Sequence, residues 1–151
     1  MASENSTIGT EAPIRTVEEL EERLSRPTPG LAEELSRLDG DIMILGCAGK
    51  IGPTLARMAR RALDEAGSKR AVIGVSRFSQ PGSRDDLERA GIRTIACDLL
   101  DRESVMALPD AANVIFMAGM KFGSTGAEAT TWAMNAYMPG IVAERFSQSR
   151  I

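Results

Sequence analysis

Three glycines at three-residue spacing, Gly46, Gly49 and Gly52, join an apolar run, Ile42-Met-Ile-Leu45, to a segment of helical periodicity beginning at Ile51. This junction constrains the fold more than any other stretch, because each glycine has its own mechanical reason in a strand-turn-helix unit. Gly46 allows a tight turn after the strand, Gly49 lets backbone approach a bound group without a Cβ in the way, and Gly52 lets the helix pack close to the strand. The helix start then offers unpaired N–H groups and roughly half a positive charge, so a pyrophosphate can be held by backbone alone. Gly46-Cys47-Ala48-Gly49-Lys50-Ile51-Gly52 is therefore read as a dinucleotide cradle, although glycines in such a turn also serve purely steric ends. A P-loop does not fit, because position 44 is Ile where its first glycine would stand and position 51 is Ile where Ser or Thr would hold magnesium.

From residue 41 onward, short apolar runs alternate with helical stretches. Strands are expected at Ile42 to Leu45, Ala71 to Val75, Ile92 to Ala96 and Asn113 to Met117. Helices are expected at Ile51 to Glu65, with Leu55, Met58, Ala59, Ala62 and Leu63 on one face, at Arg84 to Ala90, near Glu103 to Leu108, and from Ala127 to about Phe146. Strand and helix alternating at this spacing imply right-handed crossovers and an α/β fold, a Rossmann-like doubly wound parallel sheet in the partial order 3-2-1-4. Two short helices precede it. Thr16-Val-Glu-Glu19 is a capping box, and Thr28-Pro29 opens a second helix whose stripe is Leu31, Leu35 and Leu38, stopped by Gly40. Residues 1 to 15 are expected to be a mobile tail, 16 to 40 a helical cap on the sheet edge or on a partner, and 41 to 151 the NAD(P)-binding domain.

With 151 residues and 43% hydrophobic content, the chain has enough apolar material for one core. A net charge of −3 gives no electrostatic case for nucleic acid or an anionic membrane, and no apolar run reaches the roughly 18 residues of a membrane helix. Neither a secretory leader nor a disulfide framework is apparent from the start of the chain and its two cysteines, Cys47 and Cys97, so a cytoplasmic setting is expected. Histidine is absent, which excludes His-based triads and the HExxH zinc site; no metal is expected.

In parallel sheets of this kind ligands sit outside the carboxyl ends of the strands. After the second strand stand Ser76 and Arg77, where an NAD-selective site would have Asp or Glu for the ribose hydroxyls; Arg77 suits a 2′-phosphate instead, favouring NADP with NAD as the alternative. After the third strand stand Asp98 and Leu99. Asp98 either accepts from an adenine amino group or serves its own turn. After the fourth come Ala118, Gly119, Met120, Lys121, Phe122 and Gly123, where small residues leave room across the sheet and Lys121 offers a positive charge.

These segments together resemble the extended short-chain dehydrogenase/reductase superfamily, the NAD-dependent epimerase/dehydratase family. G-x-x-G-x-x-G at 46 to 52 has that family's spacing, Asp98-Leu99 matches its adenine motif, and Val114 to Lys121 looks like the fourth-strand segment of UDP-galactose 4-epimerases. Asn135 in Trp132-Ala-Met-Asn135-Ala matches the Asn of the long helix near the family's active site, and the resemblance covers residues 41 to about 150. It implies the cofactor-binding portion of an NAD(P)-dependent epimerase, dehydratase or reductase acting on a sugar nucleotide or similar hydroxyl or carbonyl substrate.

The family's chemistry requires a Tyr and a Lys four residues later, the Tyr exchanging a proton as hydride moves. The only tyrosine is Tyr137, position 141 is Ile, and no lysine follows Lys121. Ser147 to Ile151 resembles the entry to a fifth strand, so the chain is expected to be the N-terminal part of a longer enzyme, with no catalytic residue of its own. Trp132, Met134, Met138 and Phe146 would then lose partners, and Pro139 would kink the long helix. A homodimer through residues 127 to 146 is a possible assembly. The alternative function is a non-catalytic NADP-binding sensor or partner-binding module.

Overall fold

The computed structural model describes residues 12 to 121 and 125 to 151. Four strands, β1 (Ile42–Leu45), β2 (Val72–Ser76), β3 (Arg93–Ala96) and β4 (Asn113–Phe116), form one parallel sheet in the order β3-β2-β1-β4, as the alternating pattern requires. Leu45 lies opposite Val75 on one side and Phe116 on the other, so the strands end nearly level and present a common carboxyl edge. Among the described residues seven α-helices accompany them: α1 (Val17–Leu24), α2 (Pro29–Arg37), α3 (Gly52–Glu65), α4 (Ser83–Arg89), α5 (Arg102–Met106), α6 (Glu128–Trp132) and α7 (Met138–Arg145). The result is a partial Rossmann-like fold.

All four residues of β1 are buried, and their period-2 alternation divides them between two cores. Met43 and Leu45 join Ile73, Val75, Val114, Val105, Ile141 and Phe146 beneath α5 and α7. Ile42 and Ile44 join Val72, Ala56, Ala59, Leu63 and Leu87 beneath α3 and α4. Ala56, Ala59 and Ala62 carry the buried stripe of α3, and their small side chains let the helix approach the sheet. Leu55 and Met58, expected on that stripe, are half-buried at its margin.

The N-terminal helices pack on α3, a layer outside the sheet, rather than along a strand edge. Thr16 caps α1 by accepting from Glu19 N–H at 3.1 Å, but Glu19 returns its carboxylate to Arg15 N–H at 2.7 Å. With Ala12 O accepting from Arg23, this ties residues 12 to 15 of the expected tail to the helix; the remainder of the tail lies outside the described residues. Gly40 is not the stop of α2, which ends on Leu38 in an extended conformation; at φ 76° it lies against Ala112, whose Cβ would stand 2.5 Å from an added Cβ.

The expected long helix is divided. Residues Ala133–Tyr137 form a π turn between α6 and α7, with Met138 N–H reaching back to Ala133 O. Proline has no N–H and its ring crowds the carbonyl four residues earlier, so a widened turn before Pro139 relieves both problems. The distortion expected at Pro139 thus takes the form of an inserted residue. The expectation that this segment lacks partners is corrected for most of its residues: Met138 and Phe146 are buried, Met134 packs against the same core, and Trp132 alone of the four is 68% exposed. Ser147 to Ile151 form a single parallel bridge, Arg150 to Asn113, on the side of β4 away from β1.

Phe146→Ala should therefore lower stability by about 3–5 kcal/mol in urea denaturation, whereas Trp132→Ala should change it by under about 0.5 kcal/mol.

Candidate functional site

The turn after β1 is held by Val75 O, which accepts from Gly46 N–H at 2.8 Å and Cys47 N–H at 3.2 Å. Gly46 has φ 88°, and an added Cβ would stand 2.8 Å from the Ala118 nitrogen, so both backbone hand and proximity to the β4 loop demand glycine. Gly52 is dictated by sterics alone, because its Cβ would lie 2.0 Å from Cys47 O. Gly49 differs from both: it is exposed, and its Cβ would meet only Gly46 O at 3.4 Å, an ordinary contact. The protein's own packing explains the first and third glycines and not the second. Directly behind it begins α3, whose N-cap residue Ile51 supplies no side-chain acceptor and whose first turn has no acidic residue. That leaves an anion-favouring helix start at the cavity.

The cavity runs along the carboxyl edge of the sheet with a volume of about 740 Å³. Gly46, Ala48, Gly49, Lys50, Ser76, Arg77, Asp98, Leu99, Ala118 and Gly119 of the residues expected from sequence line it together. Arg77 is exposed and makes no hydrogen bond or ion pair among the described residues. The next residue, Phe78, adopts φ 50°, the only positive φ outside glycine among the described residues, and packs against the core beneath α3. A left-handed phenylalanine costs on the order of 1–2 kcal/mol, and the packing of its ring offsets that cost and anchors the loop that carries Arg77.

Five expected residues stand elsewhere. Cys47 is fully buried with its Sγ against β2, where a Cβ on Gly74 would come within 2.8 Å of it. Ile51 points to solvent and Gly52 is sealed against Cys47. Lys121 is exposed and does not line the cavity, while Phe122 and Gly123 fall outside the described residues. Asn135, in the π turn, does not line it either. Its Oδ1 accepts from Met120 N–H at 2.9 Å and its Nδ2 donates to Met120 O at 2.6 Å, so both ends of the amide are occupied in fixing the loop that follows β4. Asp98 does serve its own turn, accepting from Leu100 N–H at 3.0 Å, while remaining on the cavity wall.

Sequence reading missed part of the wall. Met117, Met134 and Met138 supply an apolar end, and Glu21 and Arg57 supply a charged one from α1 and α3. The methionines follow strand ends and a helix face and were legible only as core. Arg57 and Glu21 are far apart in sequence, and only the packing of α1 on α3 brings them together.

Burial pushes the Cys47 thiol up from 9.0 to about 11, and burial, then the neighbouring Asp98 and Asp101 charges, raises Cys97 as well. Both are thiols rather than thiolates at neutral pH.

No protein-family model and no curated protein matches the chain. Among solved structures, one described as an A-type ketoreductase from a modular polyketide synthase is similar at 24% identity and a TM-score of 0.46, over 70% of this chain. The match spans 25% of that enzyme's length. The class is defined by the sheet order itself: a doubly wound, Rossmann-like α/β domain with its cavity at the strand carboxyl ends.

Gly52→Ala should destabilise the fold by about 3 kcal/mol or more in urea melts, and Gly49→Ala by under about 1 kcal/mol. For Cys47, a folded-state pKa above the unfolded value makes the stabilisation complete below the unfolded pKa and lost as pH rises towards about 11. Urea midpoints should accordingly fall between about pH 9 and 11, and Cys47→Ala should flatten that slope.

Proposed function

We propose that this chain binds a nicotinamide dinucleotide along the carboxyl edge of its sheet, NADP in preference to NAD. It would serve as the cofactor-binding portion of an NAD(P)-dependent reductase, epimerase or dehydratase. The observation that carries this reading is one cavity wall holding both Gly49, a glycine unexplained by internal packing, and Arg77, a guanidinium with no partner among the described residues. The pyrophosphate would lie over Gly49 at the uncapped start of α3, where Lys50 adds a positive charge. Arg77 would grip the 2′-phosphate through its planar fork. Leu99 and Leu100 offer an apolar seat for adenine beside Asp98. The nicotinamide end would rest on Met117, Ala118, Gly119, Met134 and Met138, the mainly apolar part of the lining.

The cofactor would supply hydride transfer, for which this chain's task is binding and orientation. Asn135 is a positioning residue in this scheme, since it acts through the Met120 backbone rather than by facing the cavity. A sugar nucleotide or comparable hydroxyl or carbonyl compound is the proposed substrate of an enzyme containing this chain. A non-catalytic NADP sensor is the second reading, favoured by the tyrosine itself: Tyr137 is exposed, and the residue four positions on is the buried Ile141.

Calorimetric titration should give NADP binding about tenfold or more tighter than NAD, with Arg77→Ala abolishing most of that difference. Equal affinities in the unsubstituted protein would remove the basis for the NADP assignment.

A further inference from the structure

The N-terminal helix α1 brings a carboxylate to the cavity. Glu21 lines it together with Arg57 of α3, and Arg77, Ser79 and Gln80 line the same cavity. The two are paired through Arg57 Nη1 and Glu21 Oε2 at 2.9 Å, with the arginine side chain 24% and the glutamate 44% exposed. Arg57 Nε and Nη2 make no hydrogen bond among the described residues. Glu21, Arg57 and Asp86 also line a second groove, of about 520 Å³, between α1, α3 and α4. The ion pair therefore stands at the boundary between the nucleotide cavity and the seam that docks the helical cap.

Resting on the dinucleotide reading above, we propose that Arg57 is a second guanidinium for the 2′-phosphate of NADP, and that Glu21 is its resident counter-ion, displaced when that phosphate binds. A guanidinium holding a carboxylate through one nitrogen retains two others for an incoming anion. A phosphate monoester, carrying about −1.5 to −2 at neutral pH and three acceptor oxygens, competes better for that fork than a single-charged carboxylate. A ligand ending in a 2′-hydroxyl has nothing to exchange and leaves the pair closed.

The consequence reaches α1. Among the described residues two ion pairs tie it to α3, Glu21 to Arg57 and Glu22 to Arg61 at 2.6 Å. Exchange of Glu21 for phosphate removes one of them, so the seating of the helical cap becomes sensitive to which dinucleotide is bound. By reciprocity, weakening the Glu21 contact favours the 2′-phosphate.

The test is calorimetry of the unsubstituted protein, Glu21→Gln and Arg57→Gln with NADP, NAD, adenosine 2′,5′-bisphosphate and AMP, together with amide hydrogen exchange of α1. Arg57→Gln should weaken both 2′-phosphate ligands about tenfold and the 2′-hydroxyl ligands less than about twofold. Glu21→Gln should tighten the 2′-phosphate ligands about threefold, and NADP but not NAD should speed exchange in α1 of the unsubstituted protein. If NADP is preferred and Arg77 governs the preference, yet Arg57→Gln affects all four ligands alike or none, this inference falls and the cofactor site stands. Weaker 2′-phosphate binding by Glu21→Gln would also overturn it. Failure of the unsubstituted protein to bind either dinucleotide would remove both.

Discussion

The contact on which the rest of the site depends is the approach of α3 to the turn after β1, where Gly52 lies so close to Cys47 that no side chain fits between them. That approach places the start of α3 at the carboxyl edge of the sheet and directs Gly49 outward. Gly46 completes the arrangement from the other side, because its left-handed conformation brings the β1 turn against Ala118 beyond β4. Cys47 in turn needs Gly74 of β2 to make room for its sulfur. Three strands are thus brought into register at one point, and the cavity is the space left above it. A side chain at Gly52 or Gly46 would move α3 or the β4 loop and with them the walls of the cavity.

Charge of both signs lines this cavity. The helix start, Lys50, Arg57 and Arg77 bring positive character to it, and Glu21, Asp86 and Asp98 bring negative charge, with Glu21 paired to Arg57. The opposite end, under α6, the π turn and α7, is apolar and built from methionines. Asn135 spends its amide on the backbone of Met120, which fixes the loop over that end at the expense of a helix interrupted by five π residues. A polar side chain placed in a π turn and bonded to a neighbouring loop is a local distortion maintained by tertiary contacts.

Much of the fold was legible because its causes are local. Ile42 to Leu45 coincides with β1, β3 and β4 differ from expectation by a residue at one end and β2 by a residue at both, as hydrogen-bonded boundaries commonly do. Thr16 and Thr28 cap the helices they were expected to cap. The turn at Gly46 and the close approach at Gly52 were legible for the same reason: glycine spacing reports backbone demands directly. What misled were positions whose environment is set by distant residues. Cys47 and Ile51 sit inside the motif but face the core and the solvent, since a tight turn alternates which side chains reach the cavity. Leu31 and Leu35 revealed an amphipathic helix but not that its neighbour is α3.

Sequence by itself determined the alternation of strand and helix, the parallel sheet and the glycine turn, because hydrophobic period, capping and the freedom of glycine act over a few residues. Only the tertiary structure decided that Arg57 and Glu21 share a wall with Arg77, that Asn135 is committed to the β4 loop, and that Gly49 alone of the three glycines is free of an internal reason. Those outcomes depend on how α1, α3 and the π turn pack, and packing joins residues that no local pattern relates.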